Sequence, residues 1–256
     1  MTLRRLLLLA LAAFVAPSDA RAQSPATEIQ PGSRELDASR IAPRTDTMAV
    51  MGHVEGQEVQ LSILVLKTAR MDVAGAPVLS RSEQMFTLNG IEVLSDSFTV
   101  AAETLAPLVY AWSGEGEKGS LRVNGLSVRG TSRATEPGSE VDLRLSAPAF
   151  FRNEVDLLLA ALPLAEGRSF AWRALLEDEA REGRVEARVA GADPVRTMAG
   201  GTCDAWRVEL RTPTGNSNYW VDRRTGELLQ YKDEYSTLRI LRHRSCPSSA
   251  EGPARS

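Results

Sequence analysis

Apolar and polar residues alternate with a period of two along much of this chain. Val59, Leu61, Ile63 and Val65 alternate with Gln60 and Ser62, which predicts a strand with those four side chains on one dry sheet face. Leu64 and Leu66 make the far end of the same strand apolar on its other face too. Val141, Leu143 and Leu145 alternate with Asp142 and Arg144, and Val185, Ala187 and Val189 with Arg184, Glu186 and Arg188. Asn89-Gly90 separates Met85–Leu88 from Ile91–Leu94, and Asn124-Gly125 separates Leu121–Val123 from Leu126–Val128. Each pair predicts a hairpin whose two central residues take positive φ. From Asp204 onward the pattern is a meander, with turns at Thr212-Pro213-Thr214-Gly215 and Arg223-Arg224-Thr225-Gly226.

One segment changes period. Val155, Leu158, Leu159 and Leu162 fall at i, i+3, i+4 and i+7, the apolar stripe of a helix. Asn153 is placed to cap its start, and Pro163 ends it. One short helix among many strands predicts a mainly β fold: a curved antiparallel sheet, a half-barrel, with the helix as a plug against its concave face.

The ends of the chain read differently. Arg4 and Arg5, the apolar run from Leu6 to Val15, and Ala20-Arg21-Ala22 form a secretory signal over residues 1–22, cut after Ala22. That run is too short for a permanent span, and no later stretch is long and apolar enough for one. Gln23, not cysteine, follows the cut, so lipid attachment there has no acceptor. Residues 23–47, rich in Pro, Ser, Thr and charge, read as a flexible leader, and residues 247–256 as a disordered tail. A single β-rich domain over residues 48–246 lies between, in a periplasmic or secreted protein.

Charge and composition narrow the function classes. The chain carries 30 basic and 33 acidic residues, a net charge of −3, which disfavours nucleic acid and anionic membrane surfaces as partners. The two cysteines, Cys203 and Cys246, are expected to pair in an oxidising compartment. Strand parity points the other way, because it places Cys203 opposite Trp206 and Cys246 on the side of Leu238 and Ile240.

No catalytic or cofactor-binding residue stands out. Gly114-Glu115-Gly116-Glu117-Lys118-Gly119 fits G-x-G-x-x-G, but a strand follows it and two glutamates would repel phosphate, so it reads as a turn. Glu177-Asp178-Glu179 lacks calcium-loop spacing and reads as a solvated hairpin tip. His53 and His243 lie near opposite ends of the ordered region, without zinc spacing. Trp112, Trp172, Trp206 and Trp220 are candidates for an aromatic ligand lining, with core packing as the simpler role.

Several segments together resemble one family. These are Asp96-Ser97-Phe98 with Thr104-Leu105-Ala106-Pro107, Leu162-Pro163-Leu164 with Gly167, and the run from Gly201 to Val208. Tyr219-Trp220-Val221-Asp222 with Thr225-Gly226-Glu227-Leu228 completes the set. The pattern resembles the bacterial envelope family catalogued as domain of unknown function 3108, over roughly residues 50 to 240. The resemblance implies an exported half-barrel, distantly similar to periplasmic lipoprotein carriers, and brings no catalytic residues with it. The expectation is an exported, non-enzymatic module without cofactor that binds an apolar ligand such as a lipid or acyl chain. The alternatives are an envelope assembly factor that holds a protein partner, and an extracytoplasmic hydrolase.

Overall fold

A computed structural model describes residues 25–114, 116–133, 140–234, 238–242 and 246. The signal segment, the C-terminal tail and His243 lie outside the described residues. The first strands are β1 (Thr27–Glu28), β2 (Arg44–Val54), β3 (Gln57–Val73), β4 (Ala76–Thr87) and β5 (Glu92–Ala101). They continue as β6 (Pro107–Gly114), β7 (Glu117–Asn124), β8 (Ser127–Gly130) and β9 (Val141–Arg144). β10 (Phe150–Phe151) leads through a 3-10 turn to the helix α1 (Val155–Ala161). Beyond it come β11 (Ser169–Leu176), β12 (Arg181–Ala192), β13 (Val195–Arg196) and β14 (Thr202–Cys203). The meander is β15 (Ala205–Thr212), β16 (Gly215–Asp222), β17 (Leu228–Asp233) and β18 (Arg239–Arg242).

Sixteen strands form one sheet, ordered β1-β11-β12-β15-β16-β17-β18-β2-β3-β4-β5-β6-β7-β8-β9, with β10 also on β11. Pairing is antiparallel except where β1 and β10 meet β11. The sheet curves around α1 without closing, the mainly β fold with one short helix that the periodicity predicts. Polar contacts bridge the open seam. Ser132 donates to the Asp178 carbonyl at 3.0 Å, and the Ser146 amide donates to Glu182 at 2.7 Å.

The helix is enclosed on every side. All seven of its residues are buried, Leu157 as completely as Leu158 and Leu159. The expected single stripe is therefore replaced by burial all round, apolar except for Asp156, as a helix in the middle of a core requires. Seven residues are too few to hold a helix in water on propensity alone. Burying each leucine stabilises it by about 1.5–3 kcal/mol. The N-cap position belongs to Glu154, with Asn153 inside the preceding turn, and Leu162 lies just past the end, still fully buried.

The flexible leader is corrected from Pro25 onward. Ile29, Ala38 and Ile41 are buried in the main core, spaced too irregularly to give a periodic signal. The same segment completes the helix. The Asp37 amide donates to the Ala161 carbonyl at 3.0 Å, and Arg40 to the Leu162 carbonyl at 2.7 Å. These bonds satisfy carbonyls that a helix C-terminus leaves unpaired.

The face assignment of β3 is also reversed. Leu64 and Leu66 are buried on the concave side, whereas Ile63 and Val65 are only partly covered on the other side, and a register shift at Leu61 breaks the alternation and leaves that exposed side chain over Gly52. Alternation alone cannot choose between two apolar faces, and the curvature decides. Both Asn-Gly hairpins form, but only their glycines take positive φ. At the first, the Gly90 amide bonds Thr87 and the Thr87 amide bonds Ile91, a longer turn with glycine in the left-handed position. The glycine-rich stretch near 114–119 joins β6 to β7, as a turn should.

Candidate functional site

The concave face is divided. Around α1 the core is packed tight, with Phe98, Tyr110 and Phe151 in ring contact at about 6 Å. Beside it, a second apolar cluster of Met48, Val50, Leu64, Leu66 and Leu228 is left uncovered by the short helix. A cavity of about 310 Å³ occupies this gap. Leu64, Leu66, Leu210, Leu228 and Ile240 supply its apolar walls. Tyr219 and Tyr231 pair across β16 and β17 in an edge-to-face contact at 4.9 Å and line the same space.

The floor is polar. Arg81 projects from β4 and is almost completely buried. It donates to Thr68 on β3 at 2.7 Å and to the Asp156 carboxylate in the first turn of α1. Its charge thereby ties helix to sheet, an arrangement that is costly to break because one partner alone would be a buried uncompensated charge. Glu83, two residues along the strand, approaches Arg81 at 3.9 Å. The cavity walls enclose Glu83, yet 28 % of its side chain reaches open space. Burial pushes its carboxyl up to about 7, and Arg81 only partly opposes this.

Behind the floor lies a network that the sequence reading missed. Glu177-Asp178 is no solvated tip. Arg133 bonds Asp96, Tyr110 and Asp178, and stacks over Trp112 at 5.0 Å. Arg152 bonds the other oxygen of Asp178 at 2.7 Å. Glu177 is fully buried and accepts from the Asn153 amide at 3.1 Å. Burial pushes its carboxyl up to about 8, against the pull of Arg152. Glu154 accepts from the Phe151 amide at 3.2 Å, and burial raises its carboxyl well above the usual range. One oxygen of each, Glu154 Oε1 and Glu177 Oε2, lacks a hydrogen-bond partner among the described residues. These two carboxyls do not line the cavity, so Glu83 is the raised carboxyl that faces it.

The other sequence candidates are dispersed. Val155 lines the cavity, while Leu158, Leu159 and Leu162 pack in the main core. None of the four tryptophans lines this cavity; its aromatic residues are tyrosines. Trp172 is sealed in the core, and Trp112 borders a separate shallow depression on β6 and β7. Trp206 lies under Arg223 at 4.3 Å, and Trp220 donates to Asp193 at 2.8 Å. Cys203 and Cys246 are joined, with Cα atoms 5.4 Å apart. The parity objection fails because β14 leaves the large sheet to pair with β13, and β18 ends at Arg242. Cys203 then packs beside Leu229 and Leu241, on the face opposite Ile240. His53 sits on β2, and its histidine counterpart is outside the described residues.

The cavity floor had a faint signal. Leu79, Arg81, Glu83 and Met85 share one parity on β4, which sets two opposite charges on an apolar face. Asp156 likewise interrupts an otherwise apolar helix.

Two solved structures resemble the chain at low similarity. The hypothetical lipoprotein YmcC from Escherichia coli (K12) is 14% identical, with a TM-score of 0.34 over 79% of this chain and 87% of that one. A provisionally assigned lipoprotein from Parabacteroides distasonis ATCC 8503 is 10% identical, with a TM-score of 0.30 over 86% of this chain and 98% of that one. No curated protein matches the chain significantly. A family model does match over residues 58–241, spanning β3 to β18 and with them the cavity walls: the chain belongs to the family described as protein of unknown function, DUF3108.

Proposed function

We propose that this protein is an exported, non-enzymatic envelope module that holds an apolar small molecule, an alkyl or acyl chain, beside α1. The observation that carries this reading is the 310 Å³ cavity walled by leucine, isoleucine and tyrosine, next to a core packed to near-zero exposure. Such a volume, with an apolar wall facing a polar, charged floor, suits a small amphiphilic ligand. The charged start, apolar run and small-residue exit of residues 1–22 support export. Binding of N-phenyl-1-naphthylamine tests the reading. The protein should enhance its fluorescence saturably, and Leu228→Trp, which fills the cavity from one wall, should weaken binding at least tenfold. A wild-type protein that binds no probe, or a variant that binds equally well, would count against it.

A second reading has its own observation. Val54, Leu61, Leu88, Ile91, Val93 and Leu238 are each 42–64% exposed at the end of the sheet that carries the β2–β3 and β4–β5 turns. Such a patch suits a protein partner in envelope assembly. Ile91→Asp should then abolish in vivo cross-links to that partner while probe binding stays unchanged; persistence of the cross-links would refute it. Hydrolysis has less support, because Asp156, beside Glu83 in the cavity, is held by Arg81.

A further inference from the structure

Five charged side chains line the cavity: Arg81, Arg152, Glu83, Asp156 and Asp233. Both cations are committed. Arg81 is bound to Asp156 and Thr68, and Arg152 to Asp178. Asp156 is in turn spent on Arg81. Glu83 has, among the described residues, one oppositely charged neighbour within 4 Å, the Arg81 guanidinium at 3.9 Å, which is beyond hydrogen-bond distance. Asp156 and Asp96 oppose its charge and Arg152 favours it. An occupant therefore meets a half-enclosed carboxyl whose one close counter-charge, Arg81, stands beyond hydrogen-bond distance.

Resting on the apolar-cavity reading, we propose that the occupant is an amphiphile with a cationic head, an alkylammonium, whose nitrogen seats on Glu83 and whose chain lies against Leu64, Leu66, Leu228 and Ile240. An ammonium reaches hydrogen-bond distance, which Arg81 does not, and its N–H groups make charge-assisted hydrogen bonds to the carboxylate. Tyr219 and Tyr231 line the same space, and aromatic rings attract a cation. A carboxylate head would instead be added to three lining acids that already outnumber the two lining bases, although the buried Arg81 Nε lacks a hydrogen-bond partner among the described residues. Burial holds the empty-site carboxyl near 7, so at lower pH the ammonium displaces a proton from Glu83 on binding.

Three probes with one tail separate the terms: decylammonium, decanol and decanoate, each displacing N-phenyl-1-naphthylamine at pH 8. Decylammonium should displace the dye at a concentration at least tenfold below decanol, and decanoate should be weakest. Glu83→Gln should cut the ammonium advantage over decanol to less than threefold while decanol itself competes as before. At pH 6, calorimetry in two buffers of different ionisation enthalpy should show proton release with decylammonium and none with decanol. This wild-type measurement decides the matter even if the variant does not fold. Decanoate competing as well as decylammonium, an unchanged ranking in Glu83→Gln, or no proton release would overturn the proposal. Failure of all three probes to displace the dye, or a wild type that binds no dye, would overturn the cavity reading itself and this proposal with it.

Discussion

Gly226→Ala probes how tightly the meander is fastened to the helix. Gly226 lies in the β16–β17 turn at φ +73°, where the Asp222 carboxylate accepts from the Arg224 and Thr225 amides at 2.9 Å. A methyl group there would lie 3.0 Å from Ala160 Cα and 3.2 Å from its carbonyl oxygen, both in the backbone of α1. Two costs combine. A left-handed φ costs a non-glycine residue about 1–2 kcal/mol. Crowding a packed interior costs about 1–3 kcal/mol more, because the helix backbone must shift. Gly56→Ala is the internal control. Gly56 has φ +79° in the β2–β3 turn and open space around the added methyl, so only the first cost applies. Lower unfolded-state entropy offsets both variants alike, by about 0.4–1 kcal/mol, and cancels in the difference. Urea unfolding should place Gly226→Ala at least 1 kcal/mol below Gly56→Ala. Equal midpoints, with equal slopes, would show that the turn does not press on the helix and that α1 is held by other contacts.

Leu157→Ala and Leu158→Ala should each cost about 2–5 kcal/mol in the same assay, since both leucines are fully enclosed; a mild Leu157 variant would restore the one-sided helix. Reducing the Cys203–Cys246 bridge, which spans 43 residues, should remove about 4 kcal/mol on the chain-entropy model, and an unchanged melting temperature in reductant would contradict it. Glu177 binds its proton more tightly when folded than when unfolded, so the folded state carries more protons between about 4.5 and about 8 and stability falls as pH rises through that window. Glu83 acts in the same direction up to about 7. Denaturation midpoints at pH 5.5 and 8.5 should therefore show a loss in the wild type that Glu177→Gln reduces; an identical loss in the variant would refute this assignment.

Periodicity made the strands, the hairpins and the helix legible, because alternation and the i, i+3, i+4 spacing report burial directly. What it could not resolve was which side of a doubly apolar strand faces inward, as β3 shows. Nor could it show that Leu157 is as buried as Leu158, because a stripe is visible only against polar neighbours. Ile29, Ala38 and Ile41 were hidden in a polar segment whose core contacts are all long-range. The Glu177-Asp178 run looked solvated because its partners, Arg133 and Arg152, are remote in sequence. The cavity itself is an absence of side-chain volume beside the first turn of a seven-residue helix, and no local pattern encodes that.

The space beside α1 is proposed as a ligand site and not a packing flaw. Native mass spectrometry of the protein isolated from its own envelope tests this most directly, alongside Leu228→Trp prepared in the same way. A ligand site should show a bound small molecule in the wild-type spectrum, released on activation as a species with an alkyl chain, and its loss from the variant. The bare polypeptide mass in both samples, or the same adduct retained in Leu228→Trp, would contradict it.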